Sequence, residues 1–396
     1  MDNLTHTLVG LTAARAGLER VSPYATAVCV VAANLPDADI ATLAAGQWTY
    51  LEHHRGITHS IVGTLALGVA LPLLVFAGDR IIARRRGRVP RARLGGLMLA
   101  SLLVSATHPL LDWTNSYGVR PLLPWDGGWI YGDLVFIADP WIWLALGGAC
   151  FLPGERKGWR VAAWAALAVS VTVALFLLPR RAGYELPLPL LALWLAGVVA
   201  LAVARASGLG RERGPRVAHV ALALVPLYWL GLGALHARAL ERARVSADEL
   251  ASARGEAVAR VAALPMPANP FHWRCLAETE VANHRFDLFL NRAGETFDRR
   301  RWEKPRGPQV ETVGRAARDP RAQIFLGFAR FYDARPTSGD GGARPAVRFT
   351  ELRFTEPESP RLTGGFTLDV PAAPEVNLRD AQRRALSGEV AAGLKR

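Results

Sequence analysis

Long apolar runs separated by short polar segments dominate the first 238 residues. Six of these runs predict membrane crossings, and five of them approach the 20 or so apolar residues that a helix needs to span a bilayer. They cover residues 57–77, 94–111, 141–152, 161–178, 186–204 and 217–235. Two shorter runs, 7–17 and 25–33, predict a helical hairpin packed inside the bundle. Proline and two acids at positions 36–39 are expected to end the second of these helices.

The pattern changes after a proline-rich break at residues 264–270. Beyond it, apolar and polar residues alternate with period two, which predicts strands over 284–290, 323–332, 347–354 and 365–370. The predicted fold is an α-helical integral membrane bundle of about six full spans, with a short N-terminal helical hairpin and a small β-rich C-terminal domain outside the membrane. The predicted boundaries are a membrane domain over 1–238, a helical linker and break over 239–268, and the β-rich outer domain over 269–396.

Composition and charge agree with a membrane protein. Hydrophobic residues make up 51% of the chain, charged residues only 20%, and the net charge is +13. The basic residues occur in short loops between apolar runs, with seven arginines between positions 80 and 93. This distribution is typical of cytoplasmic loops, so we expect a lipid bilayer as partner and no nucleic acid. The three cysteines form no CxxC pair and predict neither a disulfide framework nor a cysteine zinc site.

Polar residues collect at the helix ends opposite the basic loop. Counting crossings from residues 80–93 places these ends, and the C-terminal domain, on the outer face of the cytoplasmic membrane. Residues 1–141 contain all of the candidates, which are His6, Asp37, Asp39, His53, His54, His59, His108 and Asp112. Because the arginines alone set this topology, the convergence of possible metal ligands on one face is an independent indication of a site.

The residue types suit a divalent metal. His108 and Asp112 are four residues apart and therefore share a helix face. Mixed histidine and carboxylate ligands favour zinc, and more than four candidates allow one or two ions. We expect His54 rather than its neighbour His53 to point inward. Asp39 is the candidate general base, and Arg55 is the candidate contact for an anionic substrate.

A simpler interpretation is available for several of these residues. Thr58 or Ser60 can cap the following helix, and Asp37 and Asp39 can merely terminate the preceding one. Isolated histidines at 219, 236, 272 and 284 are expected to be structural. Ionisable residues this close to a membrane are nevertheless costly and usually functional.

Four ordered motifs carry a family resemblance. They are TH at 5–6, LPDAD at 35–39, HRGITHS at 54–60 and HPLLD at 108–112. Together they resemble the YdjM-type membrane-bound metal-dependent hydrolases of the bacterial inner membrane. The His-x-x-x-Asp spacing is also similar to that of the zinc-dependent phospholipase C and nuclease group. The first resemblance implies a metal site, and the second implies a phosphodiester or phospholipid substrate.

These observations predict a membrane-bound hydrolase that acts at the outer face of the membrane. Its metal ligands are drawn from His6, Asp37, Asp39, His54, His59, His108 and Asp112. Its substrate is expected to be a phosphate ester or a phospholipid-type molecule, attacked by water whose pKa a bound metal lowers to about 7. The alternative is a non-catalytic membrane protein that binds or transports a metal.

Overall fold

The structure is a computed structural model that describes residues 1–154, 157–181, 186–209, 213–292, 296–337, 345–358 and 366–372. The chain divides into two compact units, Met1–Arg301 and Trp302–Arg396. The first unit contains the helical bundle, a long final helix and most of a four-stranded sheet. The second contains two short helices and a three-stranded sheet.

The helices of the first unit follow one another with short connections. They are α1 (Asn3–Arg15), α2 (Ala25–Asn34), a 3-10 helix (Leu35–Ala45), α3 (Gln47–His53), α4 (Ile61–Arg85), α5 (Leu94–Trp113), α6 (Pro140–Phe151), α7 (Gly158–Arg181), α8 (Leu188–Ala206) and α9 (Gly214–Ser252). Their starts are capped as the sequence suggests. Ser60 accepts a hydrogen bond from the backbone N–H of Gly63. Asp139 accepts from the N–H groups of Trp141 and Ile142, with Pro140 at the first helical position.

Within the described residues, six helical segments are long and apolar enough to cross a membrane. They are Ala25–Ala45, Ile61–Arg85, Leu94–Trp113, Gly158–Arg180, Leu188–Ala206 and Gly214–Ser252. The predicted fold class is confirmed, although one member of the set differs. The run at 141–152 forms α6, whose 12 residues extend only about 18 Å. The sixth span is instead formed by α2 and the 3-10 helix that follows it, because the LPDAD motif continues the helix in 3-10 turns instead of ending it.

The bundle has a basic end and a site end. At the basic end, the Asp79 carboxylate accepts hydrogen bonds from Tyr24, Arg88 and the backbone N–H groups of Arg91 and Ala92. This ties the arginine-rich loop to the N-terminal hairpin turn. The opposite end is held by a hydrogen bond from the N–H of Asp2 to the carbonyl of Ile137 (3.1 Å). Helices α1, α2 and α6 all run between these two ends.

The last helix links the bundle to a sheet. Strands β1 (Val258–Met266), β2 (Asn269–Thr279), β3 (Ala282–Phe289) and β4 (Thr296–Glu303) pair in that order, with β1–β2 and β2–β3 antiparallel. Ala239, Ala243 and Ala247 of α9, one turn apart, pack on Trp273 and Phe286. The indole N–H of Trp141 donates to the carbonyl of Ala268 (3.1 Å), so this sheet lies at the site end.

The segment 239–268, predicted as a helical linker and a proline-rich break, is helical only in its first part. Helix α9 continues to Ser252, and β1 begins at Val258. Proline at 265 does not exclude a strand here, because β1 is an edge strand of the sheet, where proline is tolerated.

The second unit holds α10 (Pro308–Ala316), α11 (Pro320–Phe328) and the antiparallel strands β5 (Tyr332–Thr337), β6 (Ala346–Glu351) and β7 (Thr367–Pro371). The strand predicted over 323–332 is wrong, because Asp319 and Pro320 start a helix there. Ala322, Phe325 and Phe328 recur with helical spacing and are buried. The predicted strands at 284–290, 347–354 and 365–370 correspond to β3, β6 and β7, with Gly365 itself outside the described residues.

Candidate metal centre

Histidine and carboxylate side chains from separate parts of the sequence meet at the site end of the bundle. Each stands where its helix starts or stops, so the helix packing brings them together. His6 comes from α1, Asp37 and Asp39 from the 3-10 helix, His54 and His59 from the segment before α4, and His108 and Asp112 from α5. All seven residues predicted as ligands thus lie in one cluster, whereas His53 is exposed.

Four of these side chains point single donor atoms at a common centre. His59 Nε2 lies 3.0 Å from His108 Nε2, 3.3 Å from Asp37 Oδ1 and 3.2 Å from Asp112 Oδ2. His108 Nε2 lies 3.5 Å from each of the two carboxylate oxygens. Ligands about 2.0 Å from a tetrahedral zinc ion stand about 3.3 Å apart, so this donor set fits such an ion.

Unsatisfied polar atoms reinforce that fit. Neither ring nitrogen of His6, nor Asp112 Oδ2, has a hydrogen-bond partner within the described residues, although all three atoms are buried. His6 Nε2 points at Asp112 Oδ1 from 3.4 Å, and the His6 ring stacks on His108 with centroids 3.8 Å apart. Buried polar atoms without partners are costly. A cation bound beside them would satisfy Asp112 Oδ2 and one of the two ring nitrogens of His6.

Asp37 also belongs to a second group with Asp39 and His54, whose donor atoms lie within 4.8 Å of one another. Asp39 is heavily engaged there. Its carboxylate contacts His54 Nδ1 (3.0 Å) and accepts from the Arg55 backbone N–H (3.0 Å) and the Thr58 hydroxyl (3.3 Å). A carboxylate that holds a histidine ring in this way fixes its orientation and its tautomer.

Arg55 lies under the cluster rather than at its opening. Only 2% of the residue is exposed, and its backbone adopts a left-handed conformation with φ of 52°. Its guanidinium contacts Asp112 Oδ1 (3.1 Å) and donates to Asn115 Oδ1 (3.0 Å) and the Gly118 carbonyl (3.1 Å). Burial lowers the pKa of Arg55 to about 10, which leaves it charged at neutral pH. The expected contact with an anionic substrate stays a prediction.

The charge state of His59 suits metal binding. Burial lowers the pKa of this imidazole to about 4, and the hydrogen bond with Asp37 opposes the shift only in part. A neutral ring has a free nitrogen lone pair at pH 7, which is the form that binds a metal. The hydroxyl of Thr58, 3.0 Å from His59 Nδ1, contacts the other nitrogen of the ring.

Residues after α5 complete the site and were not identified from the sequence. Tyr117 packs edge-on against His54 (5.4 Å between centroids), and the Arg55 guanidinium lies over its ring. Asn115 receives the Arg55 guanidinium and accepts the Tyr117 N–H. Neither residue belongs to a ligand-type motif, so no local sequence pattern identifies them. The amine of Met1, which contacts Asp112, is not identified by a sequence pattern either.

The cluster is buried apart from two members. His6, His59, His108 and Asp112 are fully enclosed. The side chains of Asp37 and His54 are 18% and 15% exposed. A molecule that reaches the four-donor centre must therefore pass Asp37 or His54.

Comparison with known proteins agrees with the YdjM resemblance of the sequence motifs, as an inner membrane family and without an activity. Residues 1–184 match the YdjM inner membrane protein family. The chain is also 28% identical over 155 residues to the uncharacterized protein YfhP of Bacillus subtilis (strain 168), an alignment that covers 37% of this chain and 44% of that protein. No solved structure matches the chain. The family match over residues 1–184 contains every residue of the cluster.

Proposed function

We propose that this multi-pass membrane protein is a metal-dependent hydrolase that cleaves a phosphate ester or a phospholipid-type substrate at the outer face of the cytoplasmic membrane. The observation that carries the proposal is the set of five distances, between 3.0 and 3.5 Å, that join donor atoms of His59, His108, Asp37 and Asp112. The match to the YdjM inner membrane family supports the location.

The four-donor group would hold the principal ion, with His6 beside it as a further ligand. Zinc is the ion that this donor set suits best, and when bound it supplies a Lewis acid and lowers the pKa of water. Arg55 balances the charge of Asp112 and sets the direction of its carboxylate. These assignments account for Asp112 Oδ2 and for one of the two ring nitrogens of His6.

His54 and Asp39 form the proton-accepting pair in this proposal. His54 is partly exposed at the opening, and its Nδ1 lies 3.0 Å from Asp39. Because Asp39 already contacts His54, Arg55 and Thr58, its role is to hold the ring rather than to take the proton itself. The other ring nitrogen of His54 is then the general base that accepts a proton from the attacking water.

The orientation rests on charge. The seven arginines of residues 80–93, together with Arg15 and Arg20, lie at the basic end, where Arg93 donates to the Arg20 carbonyl. Basic loops stay in the cytoplasm, so the site end and the β1–β4 sheet would face outward.

Purified protein in nanodiscs tests the proposal. We expect about one zinc per chain or more, and hydrolysis of bis(p-nitrophenyl) phosphate or of phospholipid vesicles. His59→Ala and His108→Ala should each lower zinc content and reduce hydrolysis by at least the roughly 10–100-fold typical of disturbed metal sites. His219→Ala, an exposed position at the start of α9, is the control. Bound zinc without hydrolysis of either substrate would favour a metal-binding or transporting protein instead.

A further inference from the structure

We infer that the metal centre opens sideways into the lipid bilayer, and that its substrate is a membrane lipid which reaches Asp37 past the 3-10 helix Leu35–Ala45. The chemistry of the lipid rests on the proposed function. The position of the opening rests on the structure alone.

The first argument is depth. His108 lies 14 residues after Leu94, the first residue of α5 beyond the basic loop, and therefore about 21 Å along the helix. Ile61, which follows the His59 segment, lies 18 residues from Asp79 at the basic end, or about 27 Å. The hydrocarbon core of a bilayer is about 30 Å thick. The cluster consequently sits at or just below the far edge of the hydrocarbon rather than above the membrane.

The second argument is the surface around the opening. The 3-10 helix that carries Asp37 also presents Ile40 (60% exposed) and Leu43 (50% exposed), and the alanines at 41, 44 and 45 are exposed as well. Residues 40–51 contain no charged side chain. Apolar surface left in water costs about 25 cal/mol per Å². Ala25–Ala45 also qualifies as a membrane span, so lipid is the partner that covers this surface.

The third argument is the polarity of the opening itself. Asp37 has its exposed edge beside the Asn3 side-chain amide, which donates to it at 3.0 Å. Another flank of the opening is closed, because Tyr117 is only 8% exposed and packs on His54. An apolar shelf next to a small polar gap matches a lipid, whose ester and phosphate groups lie at the boundary between hydrocarbon and water.

A nitroxide label measures the depth without requiring activity. Ile40→Cys would be labelled in nanodiscs, and the three native cysteines are buried. Leu74→Cys, 71% exposed in the middle of α4, is the hydrocarbon reference. Asp126→Cys, exposed in the loop at the site end, is the aqueous reference. We expect the label at position 40 to be shielded from a water-soluble nickel complex, and to collide with oxygen more often than at position 126 and less often than at position 74. Accessibility to nickel like that at position 126 would overturn the inference.

A second experiment tests the route. Ala38→Trp narrows the approach to Asp37 and should reduce hydrolysis of phosphatidylglycerol vesicles by about 10-fold or more, because small displacements at a reacting centre have effects of that size. Zinc content should not change, and Leu74→Trp should leave hydrolysis unaltered. Wild-type protein should prefer the vesicle lipid to glycerophosphoglycerol, which has the same headgroup without acyl chains.

The outcomes separate the two proposals. Faster cleavage of the soluble diester than of the lipid would refute the lateral route and leave the hydrolase assignment intact. Cleavage of neither substrate by zinc-loaded protein would refute the hydrolase assignment, and the nickel and oxygen measurements would still decide where the centre opens.

Discussion

Replacing His6 with phenylalanine separates a metal ligand from a structural histidine. The phenyl ring keeps the stacking on His108 but removes two ring nitrogens that have no hydrogen-bond partner within the described residues. Removing a buried polar group that makes no hydrogen bond is close to neutral or stabilising. In the metal-free protein, His6→Phe should therefore change the free energy of unfolding by less than about 1 kcal/mol.

Zinc should stabilise the wild-type protein more than the His6→Phe variant. A ligand present at 1,000 times its Kd stabilises the folded wild-type protein by about 4 kcal/mol. Loss of the His6 contact should weaken zinc binding by at least about 10–100-fold. The stabilisation gained from the same zinc concentration would then be smaller by about 1.4–2.7 kcal/mol, since each tenfold change in affinity corresponds to about 1.4 kcal/mol.

Denaturant unfolding in detergent, with zinc and with a chelator, measures both quantities. His219→Phe, at an exposed position of α9, should show the full zinc effect. The reasoning is refuted if His6→Phe destabilises the metal-free protein by several kcal/mol while gaining as much from zinc as wild type does.

Three further predictions follow from the packing and the charges. Gly63→Ala should weaken zinc binding without altering a donor, because a Cβ at position 63 would lie 1.7 Å from the Ile57 carbonyl oxygen in the His59 segment. Gly78→Ala, in the same helix, should bind zinc normally in a titration, because a Cβ at position 78 has no neighbouring atom within 4 Å. Glu256→Gln should lower the free energy of unfolding at pH 7. Burial alone would raise the pKa of the Glu256 carboxyl. Hydrogen bonds from Arg301, Thr279 and His284 outweigh this effect and lower the pKa to about 2. The difference from wild type should be complete above the ordinary pKa of about 4.3 and should disappear as the pH falls toward 2, as measured by unfolding at several pH values. Cysteines at Arg86 and at Phe271, 39% exposed in β2, should react with impermeant maleimide from opposite sides of the membrane; labelling from one side would contradict the topology.

The sequence predicted which residues cluster better than it predicted the path of the chain around them. Ligand-type residues at helix ends could be found because the apolar runs locate these ends and the arginines indicate which of them lie on the same side of the membrane. The burial of Arg55 could not be found this way, since its inward direction depends on a left-handed backbone and on acceptors near residue 115. Local periodicity also misjudged 323–332, where a proline start and buried phenylalanines favour α11.

The sequence also predicted poorly which apolar runs are long enough to span the membrane. An apolar run of 12 residues and one interrupted by LPDAD look equally incomplete, and only packing shows that the second continues as a 3-10 helix. Helix propensity does not predict this continuation, because the acidic residues of the LPDAD motif are paired with histidines that are distant in sequence.

Helix α9 also constrains how the protein is made. Its 39 residues extend about 58 Å, nearly twice the thickness of the hydrocarbon core. The far half supplies the alanine stripe that covers Trp273 and Phe286. With the sheet on the outer face, as proposed, its interior cannot be completed until α9 has passed through the bilayer, and retraction of α9 would uncover that interior. Folding of β1–β4 would then oppose the return of α9 through the membrane.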